Sequence, residues 1–198
     1  MAEDELIQRS CQGDIASFNQ LVVIYQRSVF NLALRMLTDA QSAEDATQEA
    51  FLSAWSHIRG FRGGNFKAWL LSIVANCCRD ELRRLKRHSL VPLAALEADP
   101  DSLPASVGSV EDDLLSIELR EEIYRGLASL LPEQRLVIVL SDIQGLSYEE
   151  IAQVTGCSLG TVKSRLSRGR THLRDYLRLR GTFGGPSSSY SSEELRKC

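Results

Sequence analysis

The stretch GLSYEEIAQVTGCSLGTVKSRLSRGR, Gly145–Arg170, decides the reading of this chain. Ser147 followed three residues later by Glu150 is a capping box, which opens a short helix carrying Ile151, Ala152 and Val154 on its inner side. Gly156 supplies a turn, Ser158 a second N-cap, and a longer helix runs from Leu159 towards Leu177. Val162, Leu166, Leu173 and Leu177 recur on that helix at the period of a buried stripe. Around the rest of it, from Ser158 to Arg180, stand seven basic residues (Lys163, Arg165, Arg168, Arg170, Arg174, Arg178, Arg180) against one acid, Asp175. Two capped helices joined by a glycine turn form a helix-turn-helix. In that motif the second helix enters the major groove, its first residues on base edges and its flanks on phosphates. A solvated basic helix is the plain alternative. The coincidence of caps, turn and charge asymmetry favours duplex DNA.

The basic helix is one of two. The chain has 198 residues and a net charge of −3, from 23 Lys and Arg against 26 Asp and Glu. That balance hides a segregation, with the cations gathered in Arg79–Arg87 and Lys163–Arg180. A protein that merely coats nucleic acid would be basic throughout. Hydrophobic content of 43% is enough for a packed core, and the length allows two small domains. Five cysteines (Cys11, Cys77, Cys78, Cys157, Cys198) form no C-x-x-C pair. No secretory leader is apparent, so reduced thiols in a cytoplasm are expected. His57, His88 and His172 have no ligand spacing to these cysteines, so neither metal nor cofactor is expected. No apolar run reaches the roughly 18 residues that would cross a bilayer.

Upstream of residue 88 the apolar positions follow a helical period. Phe18, Leu21, Val22 and Tyr25, continuing through Val29, Phe30, Leu32, Ala33, Met36 and Leu37, make one helix or a broken pair. After a loop at Thr38–Gln41, a second helix from about Ser42 to Trp55 buries Ala46, Ala50, Phe51, Ala54 and Trp55 and leaves Glu44, Asp45, Gln48 and Glu49 outside. Arg59–Asn65 is a glycine-rich loop. A third helix, from about Phe66 to Arg87, buries Trp69, Leu70, Ile73, Val74, Cys77 and Leu82. No strand pattern is present. On the third helix Asn76, Asp80, Arg83 and Arg87 share a face, with Arg79, Arg84 and Lys86 beside it. Such a face can read bases or phosphates, or can be a solvated surface with an Asp80–Arg83 pair. The preceding loop, with Phe61, Arg62, Gly63, Gly64, Asn65 and Phe66, combines aromatic faces, charge and backbone freedom suited to unstacked bases. A loop phenylalanine more often staples the loop to its core, and both readings stay open.

Between these lobes His88–Asp113 holds Pro92, Pro100, Pro104, Gly108 and six acids, with no Lys or Arg after His88. That composition predicts a flexible linker. Helices resume near Leu114, and Leu131–Pro132–Glu133 starts another with proline in its first turn, burying Leu136, Val137, Val139 and Leu140. The expected architecture is therefore all-α. A helical bundle spans 1–87, a linker 88–113, a helix-turn-helix domain 114–180, and a low-complexity, disordered tail 181–198.

Three blocks beside the opening stretch carry a family resemblance: DAQSAEDATQEAFLSAW (Asp39–Trp55), FRGGNFKAWLLSIVANCCRDELRR (Phe61–Arg84) and LPEQRLVIVL (Leu131–Leu140). Together the four resemble, in order and across both lobes, the bacterial extracytoplasmic-function (ECF) sigma factors, the small promoter-specificity subunits of RNA polymerase. The resemblance implies that the first lobe is sigma region 2, with Glu44, Asp45, Gln48 and Glu49 docking on the clamp helices of the polymerase's largest subunit. It implies that Arg62, Asn65, Asn76, Arg79, Asp80, Arg83 and Arg84 recognise and open the minus-ten promoter element. The second lobe would be region 4, with Ser158, Thr161, Lys163, Ser164, Arg165, Arg168 and Arg170 on the minus-thirty-five element and Leu131–Leu140 helping to meet the polymerase flap. The linker would run through the polymerase channels, and an anti-sigma partner would mask these surfaces. One departure is local: FRGGNF is one residue shorter than the F-R-G-x-x-x-F form common in the family. That leaves open which of Gly64 and Asn65 faces a base.

No arrangement of nucleophile and base, or of metal and carboxylate, points to catalysis, so the expected product is a non-enzymatic promoter-specificity subunit. The rival from another class is a free-standing operator-binding regulator. A more distant one is an RNA-binding adaptor. Cys77 and Cys78 could sense oxidation, although cysteines beside Val74 on such a helix more often belong to the core.

Overall fold

The computed structural model describes residues 2–88 and 113–180. The expected linker over 89–112 and the tail beyond 180 lie outside the described residues. All regular structure among the described residues is helical, and it falls into two compact units divided within that linker stretch.

The first unit contains α1 (Glu3–Cys11), α2 (Ile15–Leu37), α3 (Ala40–His57), a single 3-10 turn (Ile58–Gly60) and α4 (Phe66–His88). Helices α2, α3 and α4 pack on one another, and α1 lies on α2 and the 3-10 turn. α2 begins where Asp14 accepts the Ala16 amide at 3.0 Å and the Ser17 hydroxyl at 2.8 Å, with Arg9 at 2.9 Å. It ends at Thr38, whose φ of 62° is the left-handed conformation that terminates helices. Asp39 then caps α3 by accepting the Ser42 amide at 2.7 Å. That cap explains why α3 starts at Ala40, inside the expected loop. Ala43, Ala46, Ala50 and Ala54 form a buried stripe along α3, and such small side chains let the neighbouring backbones approach closely. Phe18 packs on Trp55 with ring centroids 5.1 Å apart. Trp55 and Trp69 are half-buried at the edge of the core rather than enclosed within it.

The second unit contains α5 (Asp113–Ala128), α6 (Pro132–Ile138), α7 (Tyr148–Thr155) and α8 (Leu159–Leu179). Val139–Ile143 is a π-helical turn, closed by the Gln144 amide on the Val139 carbonyl at 2.9 Å. The sequence period of Leu136–Leu140 does not betray that turn. Arg135 is buried, and its guanidinium donates to the carbonyls of Ala128 and Leu130, at the C-terminal end of α5. Leu136 through Leu140 are core. Of the segment expected to meet the flap, only Leu131, Pro132 and Glu133 are exposed. α8 buries Val162, Leu166, Leu173 and Leu177 as its period predicts, and Gly169 completes the stripe.

Candidate nucleic-acid interface

Helices α7 and α8 make the helix-turn-helix that the capping residues imply. Ser147 Oγ accepts the Glu150 amide at 3.2 Å, and the Glu150 carboxylate accepts the Ser147 amide at 2.8 Å. Gly156 turns the chain with φ 67°. Ser158 Oγ accepts the Thr161 amide at 3.2 Å and shares a hydroxyl contact of 2.9 Å with Thr161 Oγ1. The first duty of Ser158 and Thr161 is thus to start α8. Beyond that cap, Lys163 and Arg168 are exposed and Ser164 and Arg165 are half-exposed, opposite the buried stripe. Arg168 is ordered along the helix by bonds to the Ser164 carbonyl at 3.2 Å and its hydroxyl at 3.1 Å. Arg165 Nη1 stands 3.8 Å from the Cys157 sulfur. A helix N-terminus with cations on its open face favours anions, and phosphate above all.

Arg170, exposed like Lys163 and Arg168, differs from them in having a buried partner. Its Nε and Nη2 donate to the two carboxylate oxygens of Asp142 at 3.0 and 2.5 Å, and Nη2 also reaches Ser141 Oγ at 3.3 Å. The Asp142 hydrogen bond, helped by Tyr148, drives the pKa of Arg170 upward, against the desolvation that would lower it. The guanidinium lies along the π turn, with its side chain still 43% exposed. Asp142 and Ser141 are partners of Arg170 that the sequence did not point to; Asp142 stands 28 residues away, beyond the reach of any local pattern.

In the first unit, the α4 face carries its expected residues as neighbouring pairs. Arg79 donates to Asn76 at 2.7 Å, Arg83 to Asp80 at 2.9 Å, and Arg84 forks onto Glu81 with two bonds of 2.7 Å. Asn76, Asp80, Arg83 and Arg84 are exposed. Exposed pairs of this kind contribute little to stability, so an incoming phosphate can compete for the arginines.

The loop before α4 passes through left-handed conformations at Gly63 (φ 90°) and Gly64 (φ 94°), which a side chain would strain. Asn65 Oδ1 accepts the Ala68 amide at 3.1 Å, so its side chain caps α4. Phe66 is buried against Tyr25 and Trp69. Phe61 is half-buried, edge-on to Phe66 at 5.5 Å and 5.3 Å from Trp69. The stapling role is therefore realised for both phenylalanines, while Arg62 is exposed at the loop tip. On α3, Glu44, Asp45, Gln48 and Glu49 are all exposed, and Asp45 and Glu49 line one cleft with Asp80 and Arg84 of α4.

Cys77 and Cys78 sit between these faces, and burial pushes their thiols up to about 11 and about 12. Both belong to the packing of α4, with Cys78 fully enclosed. No group of three or more His, Cys, Asp or Glu able to hold a metal occurs among the described residues. No helix among them is long and apolar enough to cross a membrane.

Comparison with known proteins fits this division of the chain. Residues 21–88 match the sigma-70 region 2 family and residues 120–173 the sigma-70 region 4 family. The chain is 39% identical over 166 residues to the ECF RNA polymerase sigma factor SigE of Mycolicibacterium smegmatis, covering 84% of this chain and 63% of that relative. It is 34% identical over 175 residues to the ECF RNA polymerase sigma-E factor of Escherichia coli K12, covering 86% and 91%. Among solved structures, the sigma factor RpoE bound to the anti-sigma factor NepR from Bartonella quintana superimposes with a TM-score of 0.65. The identity is 29%, covering 82% of this chain and 97% of that one. CnrH in complex with the cytosolic domain of CnrY gives a TM-score of 0.65 at 26% identity, covering 90% and 99%. Both halves therefore belong to the sigma-70 class. The chain is a member of the ECF RNA polymerase sigma factors.

Proposed function

We propose that this protein assembles with core RNA polymerase in the cytoplasm, directs it to a set of promoters and helps open them, with no catalytic chemistry of its own. The observation that carries this reading is the open face of α8. Lys163, Ser164, Arg165 and Arg168 follow a capped N-terminus and stand opposite a buried stripe, the arrangement needed to enter a major groove. In this reading they contact the minus-thirty-five element, Ser158 and Thr161 lying at its entry. Asn76, Arg79, Asp80, Arg83 and Arg84 on α4, with Arg62 and Asn65 at the loop, act on the minus-ten element. The exposed acids Glu44, Asp45 and Glu49, with Gln48, dock on the clamp helices, and Leu131–Glu133 meets the flap. An anti-sigma factor is the natural regulator, since the relatives RpoE and CnrH are both solved in complex with partner proteins.

Energetics explain why a polymerase is needed. Separating about ten base-pair steps costs on the order of 14 kcal/mol at roughly 1.4 kcal/mol of stacking per step. Capturing one base on an aromatic ring returns only about 1–3 kcal/mol, and Phe61 and Phe66 are already packed on each other and on Trp69. This chain cannot melt a promoter alone. Reading the upstream element differs, because major-groove contacts of about 1–3 kcal/mol per bidentate pair discriminate sequence without opening the duplex. Mobility shifts of promoter fragments with the full chain, core polymerase, or both test the proposal. The expected result is a specific complex only when both proteins are present. Tight specific binding by the chain alone would instead establish a free-standing regulator.

A further inference from the structure

Arg170 marks a junction: its side chain is 43% exposed, yet it reaches across to the buried Asp142. It stands at the middle of α8, next to Gly169, where α8 crosses α6 so closely that an added Cβ would meet Ile138 Cδ1 at 2.7 Å. Its two-pronged bond falls on Asp142, which is 3% exposed and lies within the π turn. In that turn the Gln144 amide reaches back five residues to Val139, and the Leu146 amide reaches back six to Leu140. A regular helix there would rotate residue 142 by roughly 100° relative to the residues after it. One arginine thus ties the turn that precedes the helix-turn-helix to the body of its second helix.

We infer that Asp142 is a positioning residue for promoter recognition: through the forked bond to Arg170 it fixes the direction in which the N-terminal half of α8 leaves the unit. Arg170 acts on DNA through Asp142 and does not touch the nucleic acid. A planar guanidinium held at two nitrogens by a buried carboxylate resists rotation in a way that a single contact does not. The π turn is the local distortion that brings Asp142 into line with it. Lys163, Arg165 and Arg168 lie up to two turns away, so a small change of angle at residue 170 becomes a displacement at the base edges.

This inference rests on the sigma-factor reading, and Asp142→Asn separates it from the obvious alternative. Were Arg170 a phosphate contact, replacing the neighbouring carboxylate by an amide would free a cation, and DNA binding would rise or stay the same. As a positioning device, the same change lowers preference for the matched over the mismatched upstream element by about tenfold, the scale of one bidentate base contact. The salt slope of binding stays unchanged. Arg170→Lys, which keeps the charge and loses the fork, shows the same loss of discrimination. A drop of about one in the salt slope for Arg170→Gln would instead mark a direct phosphate contact.

The measurement uses the full chain with core polymerase on promoter fragments carrying matched or mismatched upstream elements, with far-UV melts to confirm folding. Should Asp142→Asn fail to fold, Arg170→Lys carries the test. Core-polymerase assembly by the unaltered chain reports separately on the sigma-factor reading. Increased or unchanged discrimination in Asp142→Asn, or intact discrimination in Arg170→Lys, overturns the inference.

Discussion

Gly169 meets Ile138 so tightly that an added Cβ would stand 2.7 Å from Ile138 Cδ1, 3.4 Å from Ile138 Cγ1 and 3.3 Å from Gln134 Cβ. Ile138 is fully buried and has little room to yield. Gly169→Ala would gain about 1 kcal/mol of helix propensity against an overpacking cost of about 1–3 kcal/mol. A net loss of about 1 kcal/mol is expected, lowering the melting temperature of the second unit by about 4–8 °C. Gly169→Leu should lose considerably more. Calorimetry on both variants checks this, and a stabilised Gly169→Ala would show that α6 and α8 are not locked at that crossing.

Asp39 links stability of the first unit to pH. The Ser42 amide holds its carboxyl below the usual carboxylate range. A group whose folded-state pKa is depressed contributes fully above its unfolded value, near 3.9, and the contribution disappears as pH falls through the folded value. Asp39→Ala should cost about 1 kcal/mol at neutral pH. Asp39→Asn should keep most of the cap while flattening the decline in melting temperature below about pH 4. An Asn variant with the same acid sensitivity as the native chain would refute the assignment.

The thiols of Cys77 and Cys78, raised to about 11 and about 12, should resist alkylation at about pH 8, because the thiolate is the nucleophile. Mass spectrometry after iodoacetamide treatment is expected to find Cys78 unmodified in folded protein and fully modified in denaturant. Rapid labelling of native Cys78 would mean that α4 opens locally.

Legibility tracks locality. Caps and turns act within four residues, so the pattern Ser147, Glu150, Gly156, Ser158 marks α7 and the start of α8 directly, and the periodic apolar residues mark α2 through α4. Helix α1 escapes because its nine residues bury only Leu6 and Ser10, too few for a periodicity to register. The π turn is hidden inside the apolar run Leu136–Leu140. Asn65 has the chemistry to face a base, whereas the left-handed backbone just before it makes it the cap of α4. Arg170 groups with the other arginines of its helix because charge is visible in a sequence and a partner 28 positions away is not.

Arg165→Ala and Arg168→Ala should each weaken use of the upstream element by about 5- to 100-fold, the scale of a lost base or phosphate contact, while affinity for core polymerase stays constant. Competition binding with labelled core polymerase checks the second half. A parallel loss of core affinity would place this helix in the polymerase interface instead.

Replacing both Glu44 and Asp45 with Lys reverses the charge of an exposed α3 face without touching the buried alanine stripe. Holoenzyme formation should be abolished with an unchanged melt. Size exclusion with core polymerase gives the answer, and a variant that still assembles would show that α3 does not dock there.

This chain should confer promoter opening on a core polymerase that lacks it. Permanganate footprinting of unpaired thymines around the minus-ten element, with chain, core polymerase or both, measures that opening. Reactive thymines only in the combined reaction, lost on disrupting the upstream element or the α4 face, are predicted. Opening by core polymerase without this chain, or a combined reaction with fully paired DNA, would contradict it.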